Sequence, residues 1–491
     1  MKKYILGIDQ GTTSTRAILF SKDKKVILKV QKEVKCFFPK EGYVEQDAIE
    51  IYLSVLNVIN EIITRTNISI DEIEALGITN QRETTVIWDK TSGMPLYNVI
   101  VWQSNESLPY CEKWEKYKDL IHKKTGLILN PYFSASKIAY ILDNIKDGHL
   151  KANNGELLFG TIDSWLIYKL TNGKVHATDI TNASRTMLFN INTLTYDEEL
   201  LDLFNIPKNI LPQVYECNHY FGDAIINGKS IKITGVCGDQ QSSLFGQLCF
   251  NKGSSKVTYG TGCFMLTNIG DIPIYSKNGL LTTIAWKIND SIKYAFEGSV
   301  FMGGAIIQWL RDELKLLNEA KESEDYANCV SDDLGVYIVP AFSGLGAPYW
   351  DNDCKGAIFG LTRGTTKAHL IRASLNSIAY QVKDIIDVME KECRKNIKIL
   401  KVDGGATNNN YLMKFQSDIL NKTIILPECV ETTALGAIFI AGLGSGYFKN
   451  LEEIKKLEVQ DKIFKPTMDE TTRNKLINNW NKAIKATRLY K

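Results

Sequence analysis

The chain opens with three runs in which apolar residues crowd together and then break: Tyr4 to Ile8, Thr15 to Phe20 and Val26 to Val34. Polar, glycine-containing turns separate them, so the pattern predicts a three-stranded meander with tight antiparallel connections. The signature returns in the second half, where the strand-like segments Ser255 to Tyr259 and Cys263 to Asn268 flank Gly260-Thr261-Gly262. Elsewhere, helical segments (Ile49 to Ile63, Ser164 to Leu170, Lys367 to Lys391) alternate with short apolar runs (Ala75 to Ile78, Ile231 to Val236, Tyr337 to Pro340, Ile399 to Val402). Strands mixed with helices from end to end predict an α/β fold.

The two Gly-Thr turns, Gly11-Thr12 and Gly260-Thr261, lie about half a chain apart and read as the mark of a duplicated domain, although glycine hairpins are common enough for two to coincide by chance. The length of 491 residues also exceeds what one ordinary core holds. No Pro-rich or Ser-rich linker divides the halves. The expected boundary is a short hinge near Leu248 to Gly253 with a cleft beside it, giving domains 1–249 and 250–491.

Charge and composition narrow the function. The 58 basic and 56 acidic side chains leave a net charge of +2 with no long block of either sign, so nothing attracts nucleic acid by charge alone. Asp9 and Arg16 interrupt the first apolar run before a signal-peptide core forms, and Ala434 to Leu443 contains glycines and falls short of the ~20 residues that span a bilayer. A cytoplasmic protein without a transmembrane segment is expected. Ten cysteines without a CxxC pair, and five histidines without HxxH or HExxH spacing, argue against zinc and for reduced, mostly buried thiols.

Three segments carry chemistry. Asp9-Gln10-Gly11-Thr12-Thr13-Ser14, with Arg16, sets small residues and hydroxyls directly after a carboxylate in an apolar strand, where turn amides can converge on a phosphate; a plain polar hairpin is the alternative. A decoy lies at Gly222 to Ser230: five residues separate its glycines where a Walker loop has four, so it reads as a surface loop. Gly235-Val236-Cys237-Gly238-Asp239 places a carboxylate at the end of an apolar strand, suited to accept a hydroxyl proton, with a helix-capping aspartate as the alternative. Gly77 to Thr85 is dense in hydrogen-bonding side chains after a third such strand. Arg82 and Glu83 can clasp a small polyol, and Trp102 and Tyr132 are candidate aromatic walls, unless they are core packing.

Taken in order, these segments resemble the FGGY family of carbohydrate kinases. The resemblance runs through Gly7 to Ser14, Gly77 to Thr85, Tyr168 to Asn190, Gly238 to Gln241, Tyr259 to Met265, and Val339 to Trp350, and GITNQRETT at Gly77 to Thr85 is similar to the glycerol kinases in particular. It implies two RNase-H-like domains of the actin and hexokinase type, closing an interdomain catalytic cleft on ATP and Mg2+. It implies that Arg82, Glu83, Trp102, Tyr132, Asp239, Gln240 and Phe264 surround glycerol, with Asp239 as the base. Thr12, Thr13, Ser14 and Arg16 from one domain, and Thr261 and Gly304 from the other, would follow the phosphates. Gln308, Gly405 and Asn409 would line the nucleoside pocket, and Asp9 would help hold magnesium. A homodimer or homotetramer is implied as well. The chain departs from the family at Ser104-Asn105-Glu106, where arginines are common, which sets a negative charge near the expected glycerol pocket. Kinases for other polyols or ketoses and non-catalytic actin-like ATP-binding proteins share the architecture.

Overall fold

Two mixed sheets, each built on one of the Gly-Thr hairpins, organise the computed structural model, which describes residues 3–21, 23, 26–351, 353–457 and 461–490. The first sheet contains β1 (Tyr4–Gln10), β2 (Ser14–Ser21), β3 (Val26–Glu33), β4 (Ile73–Asn80), β5 (Asp223–Ile226) and β6 (Lys229–Gly238). The second contains β7 (Ser255–Tyr259), β8 (Cys263–Gly270), β9 (Leu281–Ile288), β10 (Ser291–Val300), β11 (Ile399–Asp403), β12 (Thr423–Pro427) and β13 (Asp461–Phe464).

Strand order makes the duplication explicit. The first sheet runs β3-β2-β1-β4-β6-β5 and the second β10-β8-β7-β11-β12-β13, with β9 added outside β10. In both, an antiparallel meander leads to two parallel neighbours and then one antiparallel edge strand. The central parallel strands are buried on both faces, which is why β1, β4 and β6 read as continuous apolar runs rather than alternating ones. The Walker-like decoy is a β5–β6 hairpin turned by Asn227 and Gly228, both at positive φ.

The helices that follow the last parallel strand of each sheet are exchanged. α1 (Ala48–Thr66) stays on the first sheet, capped by Asp47, whose side chain accepts from the Ile49 and Glu50 amides. By contrast α2 (Asp239–Gly246), which leaves β6, also packs against β7, β8 and β9 of the second sheet. α3 (Thr432–Gly444), from the second half, lies on β1, β4 and β6 of the first. Gly7, Gly77 and Gly235 stand side by side across β1, β4 and β6. A Cβ on Gly77 would lie 2.3 Å from the Ala437 carbonyl oxygen, so these glycines form a trough that admits α3 to backbone contact. The apolar stretch at Ala434 to Leu443 is therefore a central core helix, and no helix among the described residues is long and apolar enough to cross a membrane.

The carboxyl ends of the parallel strands converge where α2 and α3 cross. Asp9-Gln10, Asn80 and Gly238 end the first set, and Tyr259 and Asp403 end the second. Ligands of open α/β sheets bind at such ends.

Candidate active site

Asp239 is the first residue of α2, directly after β6, and its side chain is partly exposed. Its Oδ1 accepts from the Gln240 amide at 2.7 Å and lies 3.0 Å from Arg82 Nε. Both contacts use Oδ1, so Oδ2 is the oxygen left to receive a proton. The cap residue of α2 is Gly238, so Asp239 is not spent on a side-chain cap.

Arg82 is buried in the loop after β4 and is held from three sides. Nη1 and Nη2 donate to Oε2 and Oε1 of Glu297 at 2.6 and 3.0 Å, and Nη1 also reaches Gln241 Oε1 at 3.2 Å. Arg185 extends the network, with Nη2 3.0 Å from Glu297 Oε1 and Nε 2.5 Å from Glu83 Oε1. Burial alone would push the Glu297 carboxyl up, but the Arg185 and Arg82 guanidiniums outweigh it and hold the group down at about 2. At Glu83 burial outweighs the Arg185 and Arg82 guanidiniums, the latter 3.9 Å away, and moves the carboxyl upward. Glu83 also sits at φ 61°, a strained conformation for a non-glycine residue that its surroundings must enforce.

The aromatic residues form a cluster rather than separate pieces of core. Trp102 meets Tyr132 edge to face at 5.3 Å and Phe264 at 5.9 Å, and all three rings are half-buried. Trp102 Nε1 donates to Thr12 Oγ1 at 2.9 Å, tying this cluster to the first Gly-Thr turn. The Gln46 side chain donates to the Thr12 carbonyl at 2.6 Å and accepts from Gln81 at 2.8 Å, so the β1–β2 turn and the loop after β4 are one unit.

In that turn, Thr12 is half-buried, Thr13 is exposed, and Ser14 is buried at the start of β2. Arg16 Nη1 lies 3.4 Å from Asp9 Oδ2, and its Nε donates to Gln31 at 2.9 Å. Thr13, Ser14 and Arg16 share an open groove of about 460 Å³. Burial pushes the Asp9 carboxyl up to about 7, with Asp239 and Glu431 adding to the rise and Arg16 opposing it.

Thr261, Gly304, Gln308, Gly405 and Asn409 all line one cavity of about 470 Å³, with Ile307, Leu375 and Ile378 as apolar wall. The second Gly-Thr turn forms its floor: the Gly304 amide donates to the Gly260 carbonyl at 2.8 Å, and the Gly303 amide to that of Thr261 at 2.8 Å. Asn409 has a structural task too, since its Oδ1 caps the following helix at the Leu412 amide, 2.9 Å away. A mixed apolar and polar cavity of this size suits a nucleoside.

Ser104-Asn105-Glu106 behaves differently from its charge pattern. Glu106 is 2% exposed, bonded to Ser104 Oγ at 2.8 Å, and burial pushes its carboxyl up to about 7. The carboxylate is thus buried against Ser104, and its negative charge is weakened by burial.

Sequence alone assigned no role to Glu297 or Lys256, and it showed Gln241 and Arg185 only inside motifs. The available signal was a charge inside an apolar strand: Glu297 in Tyr294-Ala295-Phe296-Glu297, and Lys256 beside Val257. Such charges persist in a core only when paired.

Comparison with known proteins bears on the family and the fold. Residues 4–246 match the N-terminal domain, and residues 255–445 the C-terminal domain, of the FGGY family of carbohydrate kinases. The glycerol kinase of Bacillus velezensis is 53% identical and that of Bacillus subtilis 52% identical over 496 aligned positions, each alignment covering all of both chains. Among solved structures, Plasmodium falciparum glycerol kinase with ADP superposes with a TM-score of 0.92 at 38% identity, covering 99% of this chain and 98% of that one. A xylulose kinase from Lactobacillus acidophilus, at 24% identity and a TM-score of 0.89, shares the fold over 99% of this chain and 98% of its own.

Proposed function

The chain belongs to the FGGY family of carbohydrate kinases, and from that premise we infer that it transfers the γ-phosphoryl group of ATP to glycerol, giving sn-glycerol 3-phosphate and ADP. The observation that carries this reading is the Asp239 carboxylate, fixed through Oδ1 by Arg82 and the Gln240 amide, with no hydrogen bond to Oδ2 among the described residues. Asp239 Oδ2 accepts the proton of the attacking C3 hydroxyl as its oxygen bonds to phosphorus and the bond to the ADP oxygen breaks. A positioned base of this kind contributes on the order of 100 to 10,000-fold.

Arg82 and Glu83 orient the glycerol hydroxyls, and Trp102, Tyr132 and Phe264 pack against its C–H face. Thr12, Thr13, Ser14 and Arg16 meet the phosphates from the first sheet, and Thr261 and Gly304 from the second. Preorganised donors aimed at the transferring group supply most of what such a reaction needs. Gln308, Gly405 and Asn409 line the nucleoside cavity. Closing the sheets over the cleft excludes water, the competing acceptor.

The donors near the first turn fit a hard cation. Asp9, directly before that turn, is a buried carboxylate, and its Oδ2 already faces a cation, Arg16 Nη1, at 3.4 Å. Asp9 would hold magnesium, chiefly through water, which that ion retains. When bound, the ion neutralises charge on the phosphates.

The test is coupled ADP release with glycerol, dihydroxyacetone, xylulose, gluconate or no acceptor, on wild type and Asp239→Ala. Glycerol-dependent turnover that collapses in the variant supports both substrate and base. Equal rates with and without every acceptor would sink the reading.

A further inference from the structure

Lys256 lies on β7 with its side chain fully buried, and no step above uses it. Its ammonium donates to Gln240 Oε1 at 2.5 Å and to Thr258 Oγ1 at 2.8 Å. Burial pulls its pKa down to about 8 against the opposing pull of Asp403 and Asp239, so the group is expensive to keep here. A lysine in an interior strand is not needed for packing, since an apolar chain would fill the same volume without that cost.

The geometry points to its purpose through the polarity of the amide it holds. An ammonium has three donors and no acceptor. The atom of Gln240 that faces Lys256 is therefore the oxygen, and the amide nitrogen faces away. Among the described residues Gln240 Nε2 has no hydrogen-bond partner, and Gln240 follows Asp239 in the first turn of α2.

We propose that Lys256 is a positioning residue for the acceptor: it locks the Gln240 amide so that Nε2 presents a hydrogen-bond donor to the pocket beside the proton-accepting Asp239 Oδ2. The pair then reads two neighbouring hydroxyls, one donating to Asp239 and the other accepting from Gln240. Adjacent hydroxyls on a short polyol satisfy both groups, whereas a simple alcohol leaves the Gln240 donor unpaired. Lys256 stands on the strand that runs into the second Gly-Thr turn, while Gln240 belongs to the first half of the chain, so the lock forms only where the two sheets meet. The proposal rests on the reading of glycerol as acceptor and Asp239 as base.

A double-mutant cycle tests it: wild type, Lys256→Met, Gln240→Ala and the double variant, with KM for glycerol and for ATP and the thermal midpoint measured for each. Lys256→Met is expected to raise the glycerol KM about tenfold, the worth of roughly one hydrogen bond, and to leave the ATP KM within about twofold. In the Gln240→Ala background the same change should add less than about twofold, because the amide it acts through is gone. The thermal midpoint should hold or rise, since an apolar chain of similar volume replaces a buried cation. Equal effects of Lys256→Met in both backgrounds, or a parallel rise in both KM values, overturn the proposal. If Lys256→Met does not fold, Gln240→Glu serves instead: it keeps an acceptor for Lys256 but removes the donor, so the glycerol KM should rise about tenfold, and an unchanged KM overturns the proposal. A wild type without glycerol-dependent turnover overturns the functional reading and this proposal together. An active wild type with an additive cycle overturns the proposal alone.

Discussion

Glu297 and Arg82 meet as a two-pronged ion pair, Oε2 to Nη1 at 2.6 Å and Oε1 to Nη2 at 3.0 Å, although one stands on the second sheet and the other on a loop of the first. The same Arg82 holds the Asp239 carboxylate. A buried contact between the halves of the chain therefore sets the position of the proposed base.

Glu297→Gln should lose both stability and activity. Breaking a buried pair leaves an uncompensated guanidinium and costs about 3 to 5 kcal/mol, which urea unfolding would report. The pH dependence has a definite sign. The folded-state carboxyl lies at about 2 against an ordinary 4.5, so its contribution is complete above about pH 4.5 and disappears as the pH falls through about 2. The variant should lack that part of the acid transition, and an unchanged acid transition would show that Glu297 is not the source.

Gly436→Ala should weaken the crossing of α2 and α3. A Cβ there would stand 1.9 Å from the Ser242 carbonyl oxygen, a backbone atom that cannot step aside. Overpacking of this kind costs typically 1 to 3 kcal/mol and sometimes more. A thermal midpoint equal to wild type would mean that the two helices slide freely past each other.

Gly405→Leu separates the two substrates. Nothing lies within 4 Å of a Cβ at this position, and the residue lines the proposed nucleoside cavity. The added side chain should raise the ATP KM by about tenfold or more, equivalent to ~1.4 kcal/mol, with the thermal midpoint and glycerol KM nearly unchanged. A rise in the glycerol KM alone would remove the nucleotide from this cavity.

Trp102→Phe keeps an aromatic wall but deletes the donor to Thr12 Oγ1. Loss of one neutral hydrogen bond is worth about 1 kcal/mol, so kcat should fall roughly fivefold if the turn binds phosphate as proposed. If only the glycerol KM moved, the ring contact rather than the indole nitrogen would be what matters.

Particular elements show how far the chain could be read before its fold was known. The β1–β2 and β7–β8 hairpins were plain from apolar runs broken by Gly-Thr, because local backbone preference and turn chemistry act within a few residues. Asp239 stood out because a carboxylate at the end of an apolar strand is an exposed anomaly. The exchange of α2 and α3 was not visible. Ala434 to Leu443 reads only as apolar, and which sheet it covers depends on Gly7, Gly77 and Gly235 lining up across three strands far apart in sequence.

Residue type and spacing were thus enough to establish the α/β class and the repeated hairpins and to single out the carboxylate at the end of β6, since each follows from interactions among near neighbours. Arg82, Glu83, Arg185 and Glu297 became one network, and Lys256 met Gln240, only through folding. Electrostatic and hydrogen-bond partners act over a few ångströms of space regardless of sequence separation, and more than 200 positions separate Arg82 from Glu297 along the chain.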